Sequence, residues 1–176
     1  MFGINRKARV FWPVCLLIVL VDCSSKSIVV EKLGAPDFPE AVADNVVRFT
    51  LSYNPDAAMG LSLGPFSRIG FALAALFALQ VMRSLYRRAK EHDTWQLIAL
   101  ALVSGGATGN LIDRIRSARG VVDFIDVGLG PHRFWWVFNL ADVGVTVGAA
   151  LLALAIWRAD QQAAPSSGAA DFGQSR

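Results

Sequence analysis

Residues 134–157 read FWWVFNLADVGVTVGAALLALAIW, a stretch in which Asp142 is the only ionisable side chain. As a helix, the stretch is long enough to cross a hydrocarbon core of roughly 30 Å. A carboxylate at membrane depth costs roughly 2.5–3.5 kcal/mol on insertion scales, so an acid in such a span is interpreted as functional. The stretch therefore predicts a membrane helix that carries a working acid.

The whole chain is more apolar than a soluble domain of its length requires. Hydrophobic residues make up 54% of the 176 residues, and the mean hydropathy is +0.44. We predict four membrane spans, approximately over residues 10–30, 67–82, 95–112 and 134–157. Together they form one integral membrane domain over residues 1–160, with a disordered tail over 161–176 that is rich in Ala, Ser, Gly and Gln.

Glycine spacing predicts how two of these spans pack. Gly105 and Gly109 lie four residues apart in the third span, and Gly144 and Gly148 repeat this spacing in the fourth. Small residues at this spacing let two helix backbones approach closely. We therefore interpret these glycines as packing positions.

The segments between the spans contain two predicted strands. Val47, Phe49, Leu51 and Tyr53 alternate with polar residues, which is the pattern of a half-buried strand. Residues 120–127 form the second candidate, and the alternation there places Asp123 on one side of the strand. The predicted fold class is therefore membrane α-helical, with four transmembrane helices and a small β-sheet and loop region.

The distribution of basic residues predicts the orientation of the spans. Positive charges cluster before the first span and in the 83–93 loop, which favours both termini on the cytoplasmic side. The 113–133 loop, with four arginines, is opposing evidence. The net charge of +3 is interpreted as basic cytoplasmic loops, so no nucleic-acid partner is expected.

Asp123 and Asp142 are the candidate catalytic residues. Two carboxyl groups held close together cannot both ionise cheaply, so one keeps its proton near neutral pH. The pair then supplies a general base that activates water and a general acid that protonates the leaving amine. This chemistry needs no metal and no cofactor, and neither is expected, because the two histidines and two cysteines show no ligand spacing.

Several other polar side chains lie near these acids in sequence or at span ends. Asn139 precedes Asp142 by three residues, and Asp22 lies one helical turn before Lys26, so each pair shares a helix face. Asn110 repeats the three-residue spacing with Asp113. An alternative interpretation is that these groups only satisfy one another between helices.

Five short motifs in this chain, taken together, resemble the lipoprotein signal peptidase family, also called signal peptidase II. In chain order they are 22–26 (DCSSK), 54–58 (NPDAA), 105–114 (GGATGNLIDR), 121–125 (VVDFI) and 138–142 (FNLAD). The resemblance extends over residues 10–157. It implies a bacterial inner-membrane aspartic endopeptidase that removes the signal peptide from a diacylglyceryl-modified prolipoprotein, cutting before the lipidated cysteine. It further implies a monomer in contact with membrane lipids, with its sheet and active site on the periplasmic side.

The resemblance also assigns site residues. Asp123 and Asp142 match the catalytic pair of the family. The positions that match substrate-binding or active-site support are Asn54, Asn110, Arg114, Asn139, Asp22, Lys26 and Asp113. The chain departs from the family at Asp56, where glycine is usual, and at Met59, where phenylalanine is usual. It also lacks the glutamine that often follows the first motif acid.

Two functions of other classes compete with a peptidase. A small four-span transporter or channel could use Asp142 as a proton or cation site, but it would require polar residues along the full membrane thickness. An inert membrane scaffold would explain the glycines and leave Asp142 and Asn110 unexplained. The gathering of polar residues at span ends favours the peptidase.

Overall fold

The computed structural model describes residues 5–34, 40–42, 46–56, 62–129, 132–133 and 136–163. The four α-helices are α1 (Arg6–Lys32), α2 (Ser67–Arg88), α3 (Thr94–Arg116) and α4 (Leu140–Ala163). The four β-strands are β1 (Glu40–Val42), β2 (Val47–Asn54), β3 (Val121–Leu129) and β4 (His132–Arg133). A 3-10 turn, Gly64–Phe66, leads into α2.

The helices confirm the prediction of four membrane spans. Each of the four is long and apolar enough to cross a membrane, by length and composition. Large apolar side chains point outward on α2, where Leu73 is 60% exposed and Phe77 is 71% exposed. In water such a surface would be unfavourable, whereas in lipid it matches the surrounding hydrocarbon. The chain is a multi-pass membrane protein.

Helix α3 lies at the centre of the bundle and packs against the other three helices. Its Leu97 and Leu100 are fully buried. A Cβ atom added to Gly105 would lie 2.9 Å from the Cys15 carbonyl oxygen of α1, and one added to Gly148 would lie 2.9 Å from that of Ala99. The predicted glycine packing positions are confirmed, because the helix backbones approach too closely for a side chain at these points.

The strands form one antiparallel sheet in the order β1-β2-β3-β4. Both predicted strands are confirmed, as β2 and β3. They pair with Asn54 opposite Val121 and Ser52 opposite Asp123, and a bulge interrupts the register between Phe49 and Ser52. The pairing places the end of β2 beside the acid of β3.

Helix α4 begins later and ends later than its predicted span. It starts at Leu140, whereas the hydropathy pattern predicted residue 134. Phe138 instead forms an isolated bridge with Ile125, so the chain is extended there and the helix begins after it. At the other end, the good helix formers Gln161, Gln162 and Ala163 continue α4 into the predicted tail. Residues 164–176 of that tail, and Met59, lie outside the described residues.

Candidate active site

The bridge between Phe138 and β3 brings the two candidate acids together. The Phe138 carbonyl oxygen accepts hydrogen bonds from the backbone N–H groups of Phe124 (3.0 Å) and Ile125 (2.8 Å). The Phe138 N–H donates in return to the Ile125 carbonyl oxygen at 3.0 Å. The chain then turns into α4, so the first turn of that helix lies against the strand segment that carries Asp123.

Asn139 and Asp142 form a reciprocal cap at the start of α4. The Asp142 N–H donates to the Asn139 side-chain oxygen at 2.9 Å, and the Asn139 N–H donates to Asp142 Oδ2 at 3.2 Å. This is the arrangement of a capping box, which satisfies two backbone donors that the helix leaves free. Asp142 therefore sits at a helix N-terminus, where the helix dipole favours a negative charge.

Asp123 is buried, with 4% of its surface exposed, and both of its carboxylate oxygens accept hydrogen bonds. Asn139 Nδ2 donates to Oδ1 at 2.6 Å, and Asn54 Nδ2 donates to Oδ2 at 3.1 Å. Burial, followed by the negative charge of Asp142, raises the pKa of Asp123 from 3.8 to about 6. The two amide hydrogen bonds and the charge of Lys26 oppose this rise.

The Asn139 side chain links the two acids. Its oxygen accepts from Asp142 and its amide nitrogen donates to Asp123, so one fully buried amide contacts both residues. The same nitrogen contacts Asn110 Oδ1 at 3.1 Å, and Asn110 Nδ2 donates to Asp142 Oδ1 at 2.8 Å. Both oxygens of Asp142 thus accept hydrogen bonds, as those of Asp123 do.

A buried lysine lies behind this amide pair. The ammonium group of Lys26, a residue with 3% exposure, contacts Asp22 Oδ2 at 2.7 Å and Asp113 Oδ2 at 2.9 Å. It also donates to Asn110 Oδ1 at 2.9 Å. Because two carboxylates and one amide oxygen surround the ammonium group, the buried charge is compensated.

Asp22 connects α1 to the start of α4. Its Oδ1 accepts the backbone N–H of Ala141 at 2.9 Å, across 119 positions of sequence. Asp22 is fully buried, and Oδ2 lies only 2.5 Å from the position of a Cβ atom on Gly109. The carboxylate can occupy this place because α3 has no side chain there.

Arg114 joins the end of α3 to the loop after β2. Its Nη2 donates to the backbone carbonyl oxygen of Asp56 at 3.2 Å, and its guanidinium lies 5.9 Å from the centre of the Phe71 ring. The Arg114 carbonyl oxygen accepts from Arg68 Nε at 2.8 Å. Arg68 and Phe71 were not predicted as site residues, and the α2 sequence offers no signal for them because their role depends on helix packing.

The unusual Asp56 lies at the edge of the site. Its N–H donates to Asn54 Oδ1 at 3.0 Å, which orients the Asn54 amide toward Asp123. Its carboxylate accepts from the Ser62 hydroxyl at 2.9 Å, and hydrogen bonds from Ser67 and Ser62 lower the pKa of Asp56. The carboxylate therefore bonds to Ser62, just before α2, while the backbone carbonyl contacts Arg114.

A second buried ion pair lies further along the sheet and was missed by the sequence analysis. Arg48 of β2 stands opposite Asp126 of β3, and their side chains approach to 3.3 Å. Asp126 is 2% exposed. A signal was available, since both residues lie in predicted strands and pair once the strands are aligned in antiparallel register.

Every predicted site residue thus lies in one hydrogen-bonded network at the junction of the sheet with the ends of α1, α3 and α4. Within the described ranges, no group of three or more His, Cys, Asp or Glu side chains is arranged to hold a metal ion. The arrangement presents two adjacent carboxyl groups, one of them with a pKa of about 6, and surrounds them with donors that fix their orientation. Such a pair can take a proton from water and deliver one to a leaving group.

Comparison with known proteins identifies the family. A family model described as "Signal peptidase (SPase) II" matches residues 14–158. The chain belongs to the signal peptidase II family. The lipoprotein signal peptidase of Pseudomonas aeruginosa (strain PAO1) is 37% identical over 169 residues, which is 94% of this chain and 98% of that protein. That of Pseudomonas paraeruginosa is 34% identical over 168 residues, with the same coverage of both chains.

A solved structure shows the same fold. A bacterial membrane enzyme determined by the in meso method at 2.3 Å resolution superposes with a TM-score of 0.74 at 24% identity. The match covers 89% of this chain and 92% of the other. As a member of the signal peptidase II family, the protein is an aspartic endopeptidase of the membrane. The family does not support the transporter or channel alternative.

Proposed function

We propose that Asp123 and Asp142 are the catalytic pair of an enzyme that removes the signal peptide from lipid-modified prolipoproteins. The bond cut is the one before the diacylglyceryl-modified cysteine. The observation that carries the proposal is the Asn139 amide, which contacts both acids and holds them side by side where β3 meets α4. The lipoprotein signal peptidases to which this chain is similar support the substrate class.

The proposed reaction uses the two carboxyl groups in opposite protonation states. The ionised carboxylate of Asp142, at the helix N-terminus, takes a proton from water as the oxygen attacks the peptide carbonyl carbon. The protonated Asp123 gives its proton to the carbonyl oxygen, which produces a neutral diol. The C–N bond then breaks, the nitrogen takes a proton from Asp142, and the diol returns its proton to Asp123. Both acids regain their starting states.

We also propose where the enzyme lies and how it is oriented in the membrane. The enzyme lies in the bacterial inner membrane as a monomer among lipids, with both termini cytoplasmic and the site facing the periplasm. The basic residues before α1 and after α2 support this orientation. The opposing charge of the 113–133 loop weighs less than its composition suggests, because Arg114 is held within the site.

The test is cleavage of a lipid-modified prolipoprotein by purified variants. Asp123→Asn and Asp142→Asn keep the shape of the side chain but cannot exchange the proton, so each should reduce turnover below about 1% of the wild-type rate. The double variant should be scarcely slower than either single one, because the two acids act as a unit. Asp160→Asn, at an exposed aspartate near the other end of α4, is the matched control and should retain full activity.

Binding separates loss of chemistry from loss of folding. Each Asn variant should still bind the lipidated substrate and elute as a folded protein in detergent, since an amide is easier to bury than a carboxylate. Substantial cleavage by either single variant in a folded preparation would refute the catalytic pair.

A further inference from the structure

We infer that Lys26 is a positioning residue that fixes the orientation of the Asn110 amide, and that it thereby holds Asp142 as the proton-accepting member of the pair. The inference rests on the proposed function, because it assigns Lys26 a part in the proposed chemistry. A lysine that only joined α1 to α3 by ion pairs would have no such part in the reaction.

The side-chain amide of Asn110 can lie in two orientations. A 180° rotation of its amide exchanges the oxygen and the nitrogen, so the neighbours determine which atom faces which side. The ammonium group of Lys26 has only donors and lies 2.9 Å from one end of the amide. That end must be the oxygen, which also accepts from Asn139 Nδ2 at 3.1 Å, and the nitrogen therefore faces Asp142 Oδ1 at 2.8 Å.

The orientation of Asn110 limits what Asp142 can do. Its Oδ1 accepts from the Asn110 amide and its Oδ2 accepts from the backbone N–H of Asn139. Both partners are donors, so they hold the two carboxylate oxygens in place, and each oxygen keeps a second lone pair that can receive the proton of water. If Asn110 turned over, its amide oxygen would face Asp142 Oδ1, and the two acceptors would repel each other.

The geometry of Lys26 shows why it can impose this orientation. Its nitrogen lies 2.7 Å from Asp22 Oδ2, 2.9 Å from Asp113 Oδ2 and 2.9 Å from Asn110 Oδ1. One acid would suffice to neutralise the charge. The two acids hold the ammonium group in place, and its hydrogen bond goes to the amide that contacts Asp142.

The charged groups around Asp142 come from three elements, and they define the pH behaviour to be measured. Asp123 of β3 and Arg114 of α3 interact electrostatically with Asp142. Lys26 connects Asp22 of α1 and Asp113 of α3 to the same network. The positive charge of Lys26 lowers the pKa of Asp123, so its loss should move the alkaline limb of the pH–rate profile, which reports the protonated Asp123, to higher pH.

The experiment compares Lys26→Gln with a double-mutant cycle that includes Asn110→Ala. Lys26→Gln should lower kcat about a hundredfold with a change in KM of less than about threefold, since a misplaced catalytic group costs that much in rate. In the Asn110→Ala background the same substitution should lower kcat by no more than about twofold, because the amide through which it acts is gone. Lys32→Gln is the matched control: it changes the exposed lysine at the end of α1 and should leave kcat unchanged.

A second variant keeps the test valid if Lys26→Gln does not fold. Lys26→Gln combined with Asp113→Asn removes one positive and one negative charge, so the buried charge balance is kept. It should show the same fall in kcat.

The outcomes separate this inference from the proposed function. An unchanged kcat and pH profile in folded Lys26→Gln would overturn the positioning role of Lys26. A hundredfold fall in kcat that persists in the Asn110→Ala background would overturn it as well. In both cases Asp142→Asn remains inactive if the proposed pair is right. An active Asp142→Asn would instead refute the proposed function itself.

Discussion

Gly109→Ala perturbs the site without changing any polar residue, and it tests whether the Asp22 contact organises α4. A Cβ atom at this position would lie 2.5 Å from Asp22 Oδ2 and 3.2 Å from its carboxyl carbon. Asp22 is fully buried, pairs with Lys26 and accepts the N–H of Ala141. The new methyl group must therefore displace a fully buried carboxylate, and the Ala141 N–H in the first turn of α4 loses its acceptor.

Three contributions determine how much Gly109→Ala lowers the free energy of unfolding. A hydrogen bond to a charged group contributes about 1.5–3 kcal/mol, and this is lost between Asp22 and Ala141. Weakening of the buried pair with Lys26 adds about 1 kcal/mol or more. Alanine in place of glycine in a helix returns about 1 kcal/mol. The net loss is about 2 kcal/mol, which lowers the Tm of a chain of this size by about 4–8 °C.

The assay is thermal unfolding in detergent together with cleavage of a lipid-modified prolipoprotein. Gly70→Ala is the matched control, since it makes the same change in α2 and its Cβ would meet only the flexible tip of Leu63, at 2.6 Å. The control should melt at or slightly above the wild-type temperature and keep its activity. If Gly109→Ala has the same Tm as the control and cleaves at the wild-type rate, Asp22 does not organise the start of α4.

Three further predictions concern the pKa of Asp123, the role of Asp56 and the orientation in the membrane. The pKa of Asp123 rises from 3.8 to about 6 on folding, so the native state binds this proton more readily than the unfolded chain does, and the group favours the fold at low pH and opposes it above about pH 6. Asp123→Asn should therefore raise Tm more at pH 8 than at pH 4. An equal change in Tm at both pH values would contradict the pKa shift. Asp56→Gly should leave cleavage within about tenfold of wild type, roughly 1.4 kcal/mol in the barrier, since the carboxylate of Asp56 bonds the loop and not the acids; a loss as large as that of Asp142→Asn would make it a third catalytic acid. In sealed cells, a cysteine at Val46 should react with an impermeant reagent and one at Lys90 should not, and the reverse pattern would overturn the orientation.

Much of the fold was predictable because it depends on local patterns. Four apolar runs of sufficient length predicted the helices, and alternation of apolar and polar residues predicted β2 and β3. Glycines four residues apart predicted where helix backbones meet. In each case the periodicity of the side chains along the chain is the physical cause of the structure, so it can be recognised without knowing which elements become neighbours.

The start of α4 shows where local patterns fail. Residues 134–138 are as apolar as the helix that follows, so hydropathy placed them in the span. The structure describes Phe138 in a bridge with Ile125, thirteen positions earlier, and this pairing competes with helix formation. The helix begins only where Asn139 can cap it. Hydropathy reports the preference for lipid and does not distinguish an extended apolar segment from a helical one.

For the site, the sequence by itself predicted most of the residues that meet there: the spacing of Asn139 and Asp142, the acid of β3 and the joint motifs of the family were all readable in order. Only the tertiary structure decided how these residues are connected. It placed the Asp22 carboxylate on the N–H of Ala141, 119 positions away, and directed the hydrogen bond of Lys26 to Asn110. Hydrogen bonds between distant segments depend on the close approach of α1, α3 and α4, and a one-dimensional pattern contains no information about which donor will meet which acceptor.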